Sequence, residues 1–246
     1  MVISTEIIQS VMIPLLVAFA ISVALSPFVI PFLRRLKVGQ TERVEGVQSH
    51  LKKAGTPTMG GTIILISVLV TCLFFVGRYP RIIPVLFLTL GFGIIGFLDD
   101  YLKVVLKRSD GLLPKQKLFC QLAVTTVFVV YLIFKDESGL TMVLPFTDYV
   151  LDIKWITVPL AYFAILGTDN GVNFTDGLDG LASSVTAVVA VFFTIASLAL
   201  GGGIAPVTAA VAGALFGFLL FHVHPAQVFM GDTGSLALGG FVAASD

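Results

Sequence analysis

Residues 170–180 read NGVNFTDGLDG, a polar run set between hydrophobic segments at 154–168 and 181–199. Each flanking segment reads as a membrane crossing, so this stretch decides the fold class: a helical, polytopic membrane protein with polar chemistry at its helix ends. Asn170, Asn173, Asp176 and Asp179 recur every third residue and, on a helical turn, share roughly one face. Gly177 and Gly180 let backbone or ligand approach closely. Oxygen ligands crowded at a membrane edge point to a hard cation and a phosphorylated ligand. The plainer reading, Asp179 as N-cap of a helix starting at Leu181, accounts for one aspartate and not for the set.

The composition agrees. Hydrophobic residues make up 57% of the 246 and charged residues 12%, with a mean hydropathy of +1.00, which excludes an ordinary soluble globular domain. Cys72 and Cys120 fall in or beside hydrophobic spans at opposite membrane faces, so no disulfide framework is expected. Ala18-Phe19-Ala20 mimics a signal-peptide cleavage site. No Lys or Arg precedes it and the apolar stretch runs on to Leu33, so a retained transmembrane helix is expected.

Apolar runs predict helices near 8–33, 58–77, 81–98, 118–134, 154–168, 181–199 and 204–221, seven complete spans, with an eighth that begins near Ser235 and is cut off. Orientation follows from the basic residues. Arg34, Arg35, Lys37, Arg43, Lys52 and Lys53 share one loop, and Lys103, Lys107, Arg108, Lys115 and Lys117 share another. Those loops are assigned to the cytoplasm and the N-terminus to the outside. The segments HLKKAGTPTMGG, GFLDDYLK, NGVNFTDGLDG and HVHPAQVFMGDTGS then emerge together on the cytoplasmic face. On the outer face, 135–153 alternates apolar and polar residues as a small hairpin does, near 140–152.

Asp99 and Asp100 close the third predicted helix. Carboxylates near a membrane are costly, and adjacent helical residues point about 100° apart, so one can face a site while the other orients a neighbour. An ion pair with Lys103 is the plain alternative. Asp232, in MGDTGS, sits between glycines that permit a tight turn and exposed N–H groups. With Asp176 and Asp179 these make five carboxylates on one face, for which Mg²⁺ bridging substrate phosphates is the economical counter-charge. Zinc is disfavoured, because no cysteine is placed to help and His50, His222 and His224 lack ligand spacing. Lys53 and Thr56 lie in a segment suited to a diphosphate, while GxGxxG and Walker patterns are absent. For Lys107, Arg108, Lys115 and Lys117 the expected partner is an anionic lipid headgroup.

At GTPTMGG (55–61), GFLDD (96–100), NFTDGLDGLA (173–182) and PAQVFMGDTGSLALGG (225–240) the chain resembles the polyprenyl-phosphate N-acetylhexosamine-1-phosphate transferases. Within them it resembles the phospho-N-acetylmuramoyl-pentapeptide transferases of bacterial peptidoglycan synthesis. The resemblance implies transfer of phospho-MurNAc-pentapeptide from UDP-MurNAc-pentapeptide to undecaprenyl phosphate, giving lipid I and UMP, with Mg²⁺ as cofactor, in the bacterial plasma membrane. By motif it implies catalytic roles for Asp99, Asp100 and Asp232, with Asp232 as metal ligand and Asp100 and Asp176 as further metal candidates. It makes Asp99 the acceptor of a proton from the carrier phosphate. It places Lys53, Thr56, Lys103, Asn170, Asn173, Asp176, Asp179, His222 and Phe229 in substrate binding, with Phe229 against the uracil. Membrane lipid is an implied partner, nucleic acid is not, and a homodimer is an admissible assembly.

Two departures from the family pattern stand out. His222 replaces the usual Asn before the PA motif, and the chain stops at Asp246 where the family continues through further helices and a His-rich loop. A single transmembrane transferase domain, truncated at its C-terminus and poorly active without the missing part, is therefore expected. Alternative readings are a sister transferase acting on UDP-N-acetylglucosamine and a non-catalytic lipid-phosphate transporter.

Overall fold

A computed structural model describes residues 5–37, 56–108, 110–135, 141–143, 149–152 and 154–245. Lys53 and His50 lie outside the described residues. Apart from short helical turns, the described elements are eight helices and one small hairpin: α1 (Ile13–Lys37), α2 (Gly61–Leu73), α3 (Ile82–Val104), α4 (Pro114–Lys135), β1 (Thr141–Val143), β2 (Val150–Asp152), α5 (Thr157–Thr175), α6 (Leu181–Leu200), α7 (Ala205–His222) and α8 (Gly231–Ser245). A π-helical turn, Ile8–Met12, leads into α1. Among the described residues five helices are long and apolar enough to cross a membrane: Thr5–Leu36, Ile82–Val104, Pro114–Phe134, Leu181–Leu200 and Ala205–His222. The protein is thus a polytopic helical membrane protein. β1 and β2 pair antiparallel, Thr141 opposite Asp152, in the segment read as a hairpin.

The helix ends follow local chemistry. Proline opens α4, where its missing N–H costs nothing, and the Leu113 N–H donates to the Gln116 side chain at 3.1 Å. Gly201, at φ +68°, terminates α6 in the left-handed conformation, and the Ile204 N–H donates to Ser197 Oγ at 3.0 Å before α7 begins.

Three boundaries differ from the sequence reading in ways that matter for the site. Helix α3 continues to Val104, so Asp99 and Asp100 lie inside its last turns and do not end it. Helix α5 runs to Thr175, carrying Asn170 and Asn173 on helical backbone where a loop was expected. Counting apolar residues ends a span where polarity begins, but the hydrogen-bond ladder continues as long as the polar side chains find partners on neighbouring helices. Helix α8 starts at Gly231, four residues before the expected Ser235. Asp179 does not cap α6. Gly180 holds that place at φ +79°, with no side-chain cap.

The core is built in two lobes around α8. One gathers Ile63, Val211, Leu215, Phe218, Leu238 and Phe241 among others, and the second gathers Leu88, Phe92, Ile95, Phe128, Ile165 and Leu236. Helix α8 feeds both lobes and packs most closely on α3. That approach depends on Gly96, since a Cβ there would strike the Asp232 carbonyl and the Thr233 nitrogen. Helix α7, rich in Ala and Gly, is buried along nearly its whole length, and Ser22 Oγ of α1 donates to its Ala214 carbonyl at 2.9 Å. Large apolar side chains such as Phe119, Phe134, Val188 and Phe192 stay exposed on α4 and α6, where a bilayer is the solvent that suits them.

Candidate active site

The last turns of α3 and α5, the first turn of α8 and the end of α7 meet at one end of the bundle. Together they line a cleft of about 310 Å³ that includes Asp100, Lys103, Asn173, Asp176, Asp179 and Asp232. Thr58, His222, Phe229 and Gly231 complete much of its wall. Gly231, at φ +74°, makes the turn that sends Met230 into the core and starts α8 with Asp232 at the cleft. A side chain there would also collide with Thr58 Oγ1 and Asp100 Oδ2.

Each carboxylate has a different environment. Asp232 Oδ2 accepts from Lys103 Nζ at 2.9 Å and Lys117 Nζ at 3.4 Å. Its other oxygen, Oδ1, accepts from Asn173 Nδ2 at 2.9 Å, and that amide also reaches Ser235 Oγ at 2.7 Å. Asp100, 3% exposed, accepts from both the N–H and the hydroxyl of Thr233, at 2.8 and 2.6 Å. The start of α8 is thereby tied to α3. Asp99, 2% exposed, accepts from Lys103 Nζ at 2.6 Å and from the Leu112 N–H at 2.6 Å. It lies behind Lys103, outside the cleft lining. Burial first, and then the nearby carboxylates of Asp232 and Asp100, push the Asp176 carboxyl up to about 7.

The opposite wall is set by the 224–230 segment. The Phe229 N–H donates to the Pro57 carbonyl at 2.7 Å, and the Gly60 N–H donates back to the Phe229 carbonyl at 2.9 Å. This pairing holds the aromatic side chain at the cleft edge. His222 places Nδ1 2.8 Å from the Val228 carbonyl and its ring 4.9 Å from that of Phe218. His224 Nδ1 stands 3.2 Å from Asp179 Oδ2 at the rim.

The structure therefore brings Asp100, Lys103, Asn173, Asp176, Asp179, His222, Phe229 and Asp232 to one cleft. Thr56 lies beside it, 3.5 Å from the Ala226 carbonyl, and Asn170 turns away, its amide donating to the Leu166 carbonyl at 2.8 Å. Lys117 departs from its expected place at a lipid headgroup, because the first turn of α4 aims it at Asp232. Sequence reasoning also missed Thr233, Ser235 and the buried pair Gln121 and Asp169. Of these only Gln121 carried a signal, as a polar residue inside the apolar span read at 118–134.

Among the described residues no group of three or more His, Cys, Asp or Glu side chains converges as a metal cage. The donor chemistry fits Mg²⁺ nonetheless. That ion binds through one or two carboxylates and completes its shell with water and substrate phosphates, and the cleft lining offers Asp100, Asp176, Asp179 and Asp232.

A helical membrane protein with acid and lysine side chains gathered in a cleft at a bundle end is suited to holding phosphorylated groups and cations there, and sequence comparison supplies the class. The family model described as glycosyl transferase family 4 matches residues 82–245, and the phospho-N-acetylmuramoyl-pentapeptide-transferase signature 1 matches residues 53–65. The phospho-N-acetylmuramoyl-pentapeptide-transferase of Acetivibrio thermocellus is 49% identical over 231 residues, covering 93% of this chain and 70% of the relative. That of Bacillus subtilis is 48% identical over 242 residues, covering 95% and 74%. The chain belongs to the phospho-N-acetylmuramoyl-pentapeptide-transferase family.

Proposed function

We propose that this protein transfers phospho-MurNAc-pentapeptide from UDP-MurNAc-pentapeptide to undecaprenyl phosphate, releasing UMP and forming lipid I. The observation that carries this reading is the convergence of Asp100, Lys103, Asn173, Asp176 and Asp232 on one cleft in a chain of this family. Both substrates are anionic, so the site must hold two phosphate groups in line and balance the charge that develops on the departing UMP. Lys103 and Lys117, now shared with Asp232, are the side chains placed to do so. Mg²⁺, held by Asp232 with Asp100 and Asp176 as neighbouring candidates, would supply further charge neutralisation at the phosphates. Phe229 offers a flat face for the uracil, and His222 and Asp179 polar contacts beside it.

A phosphate monoester with a second pKa of about 6 is largely dianionic at neutral pH, so the carrier attacks directly without needing a strong base. Asp99, buried behind Lys103, serves to hold that lysine and not to take the proton. The cleft faces the cytoplasm, the N-terminus lies outside, and the chain forms one transmembrane transferase domain. Incubation of the purified protein with Mg²⁺, undecaprenyl phosphate and either UDP-MurNAc-pentapeptide or UDP-N-acetylglucosamine tests the reading. UMP and lipid I are expected from the first donor alone. UMP release only from the second, or from neither, overturns it.

A further inference from the structure

Asp169 is fully buried in α5, away from the cleft lining, in a place where an apolar side chain would cost less. Its Oδ2 accepts from Gln121 Nε2 of α4 at 2.6 Å, and Gln121 is itself 2% exposed. Among the described residues Asp169 Oδ1 meets no hydrogen-bond donor. The carboxylate's one hydrogen bond among these residues therefore runs to a neighbouring helix.

The position of that bond relates it to the cleft. Gln121 lies four residues after Lys117 on α4, and Asp169 lies four residues before Asn173 on α5, so each pair shares one helix face. Lys117 and Asn173 are both partners of Asp232. The Asp169–Gln121 bond is therefore a rung one turn below the rung that holds Asp232, joining the same two helices. The third helix of the site is tied in as well, since a Cβ on Gly239 of α8 would run into the Asp169 backbone and Oδ1. Helix α4 needs such a tie, because most of its surface faces outward, with Phe119, Leu122, Val127 and Val130 all exposed.

We propose that Asp169 is a positioning residue: through Gln121 it fixes the turn of α4 that delivers Lys117 to Asp232. The proposal rests on the transfer reaction above for its kinetic consequence and on geometry alone for its structural one, and the two are tested separately. Lys117 is only partly accessible in its pair with Asp232, whereas Lys115 on the same turn is exposed. Amine-labelling footprints of the protein in detergent are compared for wild type, Asp169→Leu, Asp169→Asn and Gln121→Leu. Labelling of Lys117 relative to Lys115 is expected to rise several-fold in Asp169→Leu and Gln121→Leu. It should stay near wild type in Asp169→Asn, whose amide oxygen still accepts from Gln121. The two leucine variants should lose on the order of tenfold to a hundredfold in kcat with KM for the UDP substrate within about threefold. The double leucine variant should be no worse than either single one.

Unchanged Lys117 labelling in a leucine variant that melts as wild type does overturns the proposal, whether or not the enzyme turns over. So do kinetic losses that multiply in the double variant. If Asp169→Leu does not fold, Gln121→Leu breaks the same bond from the other helix and carries the comparison. Absence of any UMP release from wild type, with the labelling pattern intact, refutes the proposed reaction and leaves the brace standing.

Discussion

At the scale of residues, the two adjacent aspartates of α3 divide the work. Asp100 faces Thr233 and the cleft, while Asp99 faces Lys103 and the 105–113 connection. This division yields a discriminating prediction. If Asp99 orients Lys103, Asp99→Asn lowers kcat by roughly tenfold, through a misplaced lysine, and leaves the shape of the pH–rate profile unchanged. A general base at Asp99 would instead show as loss of an ionisation on the acid limb. Asp176 provides a second test. Its carboxyl titrates at about 7 when folded and near 4 when unfolded, so the folded state binds the extra proton between those values. Stability falls as pH rises through that window. Without Mg²⁺, the thermal midpoint is expected to drop between pH 5 and pH 8, and Asp176→Asn should flatten the part of that slope owed to this group. An unchanged slope in the variant contradicts the assignment. That adjacent carboxylates would point apart was legible in the sequence. Which one met the cleft was not, because that choice is made by Thr233, 133 residues further along.

At the scale of elements, the site exists because α8 lies directly against α3. Gly96 permits the contact one turn before Asp99 and Asp100, so packing and chemistry share the same two turns of helix. A methyl group at Gly96 meets backbone atoms that cannot rotate away. Gly96→Ala is therefore expected to shift the start of α8, cost about 1 to 3 kcal/mol in stability, and abolish most activity by moving Asp232. Gly77→Ala, with open space around its Cβ position, is the control in thermal melts and assays. Equal melting points for the two would remove the argument. Most of the helices could be read from apolar run length, since a bilayer demands such runs. The continuation of α3 and α5 into polar sequence could not, because it depends on partners supplied by other helices. The role of Lys117 was hidden for the same reason: in the sequence it is one of several lysines beside a span, and only the docking of α4 separates it from Lys115.

At the scale of the whole molecule, the fold separates two ends of different character. The cleft end carries Lys103, Lys117 and the aspartates, while the far end carries Arg78 and Arg81, whose guanidinium groups bond Gln9 and the Gly201 and Gly202 carbonyls. Helices α3, α5 and α7 end at the cleft while α4 and α8 start there, so one orientation fixes the side on which all five meet. The excess of lysine and arginine in the sequence between α1 and α2 and in that between α3 and α4 is the ground for proposing that the cleft end lies on the cytoplasmic side. This is where a UDP conjugate would meet a carrier phosphate at the bilayer surface. Single-cysteine variants decide the point. Cys72 is fully buried and Cys120 can be replaced by serine, leaving Lys115→Cys to report the cleft end and Gly77→Cys the far end, both at exposed positions. With a membrane-impermeant maleimide on intact cells, Gly77→Cys is expected to label at once and Lys115→Cys only after permeabilisation. The reverse order would place the cleft outside the cell, away from any cytoplasmic nucleotide donor, and would break the proposed reaction at its first requirement.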